Sequence, residues 1–65
     1  IQHAVTNALN QLPTQQKTAF VMKHYEGLKI REIATIMNLS DGTVKRYLFR
    51  AIEKLRPMLK EYRYA

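Results

Sequence analysis

Apolar residues recur at spacings of three and four along the chain, in runs that break at Pro13, Gly27 and positions 38–40. Such spacing puts the apolar side chains on one face of an α-helix. The first run predicts a helix that ends near Gln11, and its apolar members are Ile1, Val5, Ala8, Leu9 and Leu12. Because no run alternates apolar and polar residues as a half-buried strand does, we predict an all-α fold in one domain over residues 1–65.

Two further helices are predicted between the first and last breaks. Pro13 suits the first turn of a helix and Gly27 is a typical stop signal, which predicts a second helix from Thr14 to Glu26. Its inner side is predicted to carry Phe20, Val21 and His24, with Met22 and Tyr25 in the core or at its edge. A third, short helix is predicted from an apolar face formed by Ile30, Ile33, Ala34 and Met37.

The third helix has a weak start and a well-formed end. Lys29 occupies the N-cap without a side-chain oxygen to accept a backbone hydrogen bond, but Glu32 can reach back to the N–H of residue 29 as half of a capping box. Asn38 tolerates the left-handed conformation that commonly ends a helix. A tight turn is therefore predicted directly after Met37.

A fourth helix is predicted to follow this turn. Ser40 is a suitable N-cap, and Asp41 adds negative charge to the first turn. The helix is predicted to continue to about Arg56, where Pro57 removes a backbone donor and either ends or kinks it. A short helix, a tight turn and a longer basic helix together make a four-helix, helix-turn-helix domain without a wing.

The period of the fourth helix separates its buried stripe from an unusual outer face. At about 100° per residue, Val44, Leu48, Ala51, Ile52 and Leu55 fall within a buried arc of roughly 100°. The opposite side carries Arg46, Phe49, Arg50 and Glu53. An apolar ring between two arginines suits a DNA major groove, where arginine binds guanine and an apolar group contacts thymine methyls. The alternative is that Phe49 packs under Pro57, the C-terminal tail or a neighbouring domain.

The charge balance agrees with a nucleic-acid partner but does not require one. Eleven Lys and Arg against five Asp and Glu give a net charge of +6, which favours a polyanionic partner; a solvated basic surface is the alternative.

The second helix of a helix-turn-helix enters the groove with its N-terminus first. The candidate groove residues are Asp41, Gly42, Thr43, Lys45, Arg46, Phe49 and Arg50, and the candidate phosphate contacts are Lys23, Lys29 and Arg31. Thr43 serves equally well as a helix-start residue.

Other classes of function find little support. The chain contains no cysteine and no apolar run of the roughly 20 residues that a membrane span needs. Ser40 is the only serine, His3 and His24 have no third ligand at metal-site spacing, and there is no glycine-rich phosphate loop. We therefore expect no enzyme activity, no cofactor, no metal and no small-molecule substrate. The start at Ile1 instead of Met suggests a piece of a longer protein.

Several short motifs occur in a familiar order and spacing. They are Leu12-Pro13, Glu26-Gly27, Glu32-Ile33-Ala34, Gly42-Thr43-Val44-Lys45, Leu48 and Arg50-Ala51. Together they resemble region 4 of the sigma-70 family over residues 8–56, most closely the extracytoplasmic-function type. The resemblance implies binding to the promoter −35 element, docking on the β-subunit flap of core RNA polymerase, possible capture by an anti-sigma factor, and a place in the bacterial cytoplasm at the nucleoid. In relatives the positions of Lys45, Phe49 and Arg50 face the element.

Three departures from the family pattern affect these expectations. Lys17 stands where arginine is commoner, which weakens an ion pair expected with Glu32 to a point contact. Lys29 replaces a capping Ser or Thr, and Arg46 and Tyr47 replace the usual serine and arginine, so the preferred bases are expected to differ. The DNA-melting region of a sigma factor is absent from this sequence, so the chain by itself is not expected to open a promoter.

Two alternative functions stay open on the sequence. A LuxR-type response-regulator domain shares the "EIA…TVK" core, but it favours histidine where Tyr47 stands and lacks the Leu12-Pro13 opening. A basic helical module that binds an acidic protein would suit an exposed Phe49 and the tail "EYRYA". Competition by generic duplex at low salt distinguishes this module from a DNA-binding domain.

Overall fold

A computed structural model describes the backbone of residues 2–63 and the side chains of residues 5–58. All the regular structure in this part of the chain is helical, as predicted. The four helices are α1 (Gln2–Asn10), α2 (Thr14–His24), α3 (Ile30–Met37) and α4 (Asp41–Arg63).

The predicted stop and start signals are found at the helix ends. Gly27 has φ 71° and Asn38 has φ 58°, so both take the left-handed conformation after their helices. The Lys29 N–H donates to Glu32 Oε1 at 2.8 Å, and the Thr43 N–H donates to Ser40 Oγ at 3.1 Å. These local hydrogen bonds fix the starts of α3 and α4.

Pro57 does not end α4, so the helix extends beyond its predicted end at about Arg56 and includes residues for which extension was one of the open alternatives. The helix continues through Pro57 to Arg63 although proline removes one backbone hydrogen bond. Leu55 and Met58, on either side of the proline, both pack against the apolar residues of α1. This packing stabilises the helix where local propensity disfavours it.

Two separate apolar clusters make up the core. The first joins α1 to the C-terminal half of α4 through Ala8, Leu9, Leu12, Ala51 and Leu55, with Val5, Phe20 and Met58 partly buried against it. The second joins α2 and α3 to the N-terminal half of α4 through Ala19, Ile33, Ala34, Val44 and Leu48. Helix α4 is therefore the one helix that contributes fully buried side chains to both clusters in the described part of the chain.

The inner face of α2 differs from the predicted one. Gln16 and Ala19 are its buried residues, while Phe20 and Val21 are only partly buried. His24 is exposed and lies against the Phe20 ring, with ring centroids 4.4 Å apart. Small Ala19 lets α2 approach its neighbours closely, so the bulkier side chains lie at the edges of the contact.

Two other predicted core residues are also exposed. Tyr25 follows the end of α2 and is 62% exposed. Ile52, predicted within the buried stripe of α4, is 36% exposed because it lies at the outer edge of that arc. Met22 and Met37 lie at the edge of the second cluster, as predicted.

Candidate nucleic-acid interface

Among residues 5–58, no side chain covers the outer face of α4, and the C-terminal tail named as an alternative cover lies outside these residues. Arg46, Phe49, Arg50 and Glu53 are all exposed, and Phe49 exposes 64% of its surface. On the opposite face Val44 and Ala51 are fully buried, which fixes the direction of the outer face. Among the described side chains, no helix of the domain shields the Phe49 ring, so it does not pack under Pro57.

The turn before α4 sets how this face is presented. The Leu39 N–H donates to the Ala34 carbonyl at 2.8 Å, which closes the end of α3 while Asn38 reverses the chain. Ile33 and Ala34 of α3 then pack against Val44 of α4. A short helix, a tight turn and a longer helix packed in this way form a helix-turn-helix.

The N-terminal turn of α4 carries further predicted site residues. Asp41, Gly42 and Lys45 are exposed, whereas Thr43 is partly buried. The Thr43 hydroxyl lies 2.8 Å from Ser40 Oγ, and either oxygen can be the donor. Because a hydroxyl has a single proton, Thr43 can donate to a phosphate or a base only when Ser40 supplies the proton of this pair.

The cations predicted near the DNA backbone lie on α2 and α3. Lys29 and Arg31 are exposed at the start of α3, and Lys23 is partly buried near the end of α2. Lys29 and Arg31 line an open depression of about 680 Å³ together with Glu32, Thr35 and Ile36. The Glu32 carboxylate already accepts the Lys29 N–H, so this acidic group is engaged at the helix start.

A comparison with protein families identifies the fold. The family described as "Sigma-70, region 4" matches residues 2–55, which takes in α1, α2, α3, the turn and most of α4. The chain belongs to this family. A LuxR-type domain is therefore not favoured, and the predicted helix-turn-helix is confirmed as that of region 4.

Curated relatives of this region 4 chain are sigma factors. RNA polymerase sigma-H factor of Pseudomonas aeruginosa is 38% identical over 94% of the chain and 34% of the relative. RNA polymerase sigma factor SigV of Bacillus subtilis is 40% identical over 80% of the chain and 31% of its own length. ECF RNA polymerase sigma-E factor of Haemophilus influenzae is 35% identical over 91% of the chain and 33% of its own length. The chain thus spans about a third of the length of these relatives.

Two polar contacts of this region 4 domain were not predicted. Lys17 Nζ donates to Asn10 Oδ1 at 2.6 Å, so it joins α2 to α1 instead of contacting Glu32. The Tyr47 hydroxyl donates to Gln15 Oε1 at 2.8 Å, which joins α4 to α2 across 32 positions of sequence. No local pattern indicates a contact at that separation, whereas the Glu32 cap was recognisable from its spacing.

The described residues give no sign of a metal site or a membrane span. Among the residues that the structure describes, no three His, Cys, Asp or Glu residues come together as metal ligands. None of the described helices combines the length and apolar character needed to cross a membrane. His3 lies outside the residues whose side chains are described.

Proposed function

We propose that this region 4 domain binds the promoter −35 element by placing the N-terminal half of α4 in the major groove, as part of a bacterial sigma factor. The observation that carries the proposal is the single exposed face holding Arg46, Phe49 and Arg50. A groove about 12 Å wide admits one helix, and its base edges suit both arginine and an apolar ring. Within the described residues, no intramolecular contact covers this exposed phenylalanine and the two arginines beside it.

Base discrimination comes from the outer face of α4. Arg46 or Arg50, bidentate to guanine O6 and N7, would contribute roughly 1–3 kcal/mol of discrimination against a wrong base. The Phe49 ring would lie on thymine methyl groups. Exposed Lys45 and Gly42 stand on the first turns of α4, where the backbone comes nearest the base edges, with Asp41 and Thr43 beside them.

Affinity comes mainly from phosphate contacts. Lys29 and Arg31 at the start of α3 and Lys23 on α2 would meet the DNA backbone beside the groove. Four or five such contacts, counting those from α4, predict that log K falls with log salt concentration at a slope of about −4. This term is independent of sequence and acts on any duplex.

The protein partners proposed are the β-subunit flap of core RNA polymerase and an anti-sigma factor, with the bacterial nucleoid as the place of action. The names of the relatives support the polymerase, since each is an RNA polymerase sigma factor. An open depression of about 350 Å³ along α2 is lined by Val21 and Met22 together with Thr14, Lys17, Thr18 and Glu26, and it contains none of the candidate groove residues. Binding of an isolated flap in the presence of bound duplex tests whether both partners fit at once.

Selection of binding sites from random duplexes is the direct test. We expect one enriched motif for the parent chain and a weaker or altered motif for Phe49→Ala. Anisotropy titrations of the enriched duplex then measure affinity and its salt slope. If no motif is enriched and generic duplex at low salt does not compete with a bound protein partner, the chain is a protein-interaction module instead.

A further inference from the structure

Tyr47 joins α4, the helix proposed to read DNA, to α2. Its ring is partly buried against the second core cluster, and its hydroxyl donates to Gln15 Oε1 at 2.8 Å. Among the side chains that the structure describes, this is the one hydrogen bond that joins α4 to another helix. It lies next to Arg46 and one turn before Arg50 in the sequence of α4.

The rest of the α4 contact is apolar and contains no other side-chain hydrogen bond to another helix among the described residues. Val44, Leu48 and Ala51 hold α4 through apolar packing, which is non-directional. A hydrogen bond is directional and weakens steeply when its angle departs from linear. The Tyr47–Gln15 contact, which is exposed to solvent, therefore adds a directional restraint on rolling of α4 about its own axis to the restraint that packing provides.

Small rolls matter because the reading atoms lie far from the helix axis. A roll of about 10° moves an atom roughly 6 Å from the axis by about 1 Å. Productive geometry at a binding site generally has to be held within about 0.5 Å. Loss of the contact would thus weaken discrimination by bidentate binding to guanine. The phosphate contacts depend less on direction, so the affinity they supply would change little.

We infer that Tyr47 and Gln15 form a positioning pair that fixes the roll of α4 and so determines how sharply Arg46 and Arg50 discriminate bases. The inference rests on the proposed binding of α4 in the major groove. It assigns a specificity role to two residues that do not contact DNA. The quantity that reports this role is the ratio of affinities for a selected and a shuffled duplex of equal length and composition, measured at one salt concentration.

The variants separate the hydrogen bond from packing and charge. Tyr47→Phe keeps the ring and removes the hydroxyl, and Gln15→Met removes the acceptor. Each is expected to lower the affinity ratio by about threefold to tenfold, the factor that a hydrogen bond of ordinary net strength supplies. The double variant should lose no more than either single variant, because both remove the same contact.

Two control variants exclude simpler explanations. Gln15→Glu keeps an acceptor for the Tyr47 hydroxyl, so it should lower affinity for both duplexes alike through its charge and preserve the ratio. Tyr25→Phe removes a hydroxyl from a tyrosine that is 62% exposed and should change neither affinity nor ratio. Circular dichroism sets a temperature at which all variants are folded.

The possible results decide between the two proposals. A parent chain with equal affinity for both duplexes would refute the proposed function and this inference with it. A parent that discriminates, together with an unchanged ratio in Tyr47→Phe and Gln15→Met, would refute the positioning pair alone. Additive losses in the double variant would also overturn it, since two independent contacts would then be involved.

Discussion

The two glycines of this domain predict opposite responses to the same substitution. Gly27 follows α2 with φ 71°, and no atom lies within 4 Å of the position where a Cβ would stand. Gly42 lies in the first turn of α4 outside the positive-φ region, and the nearest atom to its added Cβ is Ser40 Oγ at 4.0 Å. Neither alanine is crowded, so backbone conformation alone decides the outcome.

The magnitudes follow from that difference. Gly42→Ala should raise the free energy of unfolding by about 0.4–1 kcal/mol, because alanine has fewer unfolded conformations to lose. In Gly27→Ala the same loss of unfolded-state conformations raises the free energy of unfolding by the same amount. It is opposed by a cost of about 1–2 kcal/mol, because the alanine side chain is forced into the left-handed region. Since 1 kcal/mol shifts the melting temperature of a 60–100-residue domain by about 4–8 °C, Gly42→Ala should melt about 2–7 °C higher. For Gly27→Ala the net loss is about 0–1.6 kcal/mol, and its middle value of about 0.8 kcal/mol should lower the melting temperature by about 3–6 °C.

Thermal melts followed by circular dichroism at 222 nm (roughly the α-helical minimum) measure both shifts. Anisotropy titration adds a second readout, because the methyl group of Gly42→Ala would stand where α4 approaches the bases. That variant should therefore be more stable and yet bind duplex more weakly. A lower melting temperature for Gly42→Ala, or a higher one for Gly27→Ala, would contradict the assignment of backbone conformation.

Four further substitutions test the core, the interface and the cap. Val44→Asp should unfold the domain, because an unpaired charge would enter a cluster in which Val44 is 0% exposed; a parent-like cooperative melt would count against the helix register. Arg50→Ala should weaken duplex binding and flatten preference at one or two base positions, whereas Lys23→Ala should weaken all sequences alike. Unchanged titrations for both would exclude the groove assignment. Ser40→Ala should cost about 1 kcal/mol in chemical denaturation, since Ser40 Oγ accepts the Thr43 N–H.

The sequence predicted those parts of the fold that depend on local chemistry. Gly27, Asn38 and Ser40 act at their helix ends as their side chains and backbone preferences require. The period of α4 correctly placed Val44 inside and Phe49 outside, because a regular helix converts position into direction. For the same reason, the exposed members of the candidate interface could be named in advance.

Predictions failed where tertiary contacts outweigh local preference. Pro57 lies within α4 because the first cluster holds the helix on both sides of it. On α2 the inner face was misjudged because Gln16, a polar residue, is buried while His24 is not. The Tyr47–Gln15 contact could not be predicted at all, since it depends on how two helices pack across 32 positions.

The position of Phe49 follows from the size of the core as well as from helix period. Among the described residues, four of the ten buried apolar side chains are alanines, namely Ala8, Ala19, Ala34 and Ala51, and the aromatic rings of Phe20 and Tyr47 are only partly buried at the edges of the two clusters. A phenylalanine in the buried stripe would force the helices apart, at a typical cost of 1–3 kcal/mol for overpacking. Outside, it costs the domain little as long as a partner covers it. Phe49 therefore lies on the outer face of α4 beside Arg46 and Arg50, where the proposed groove contact would cover its ring.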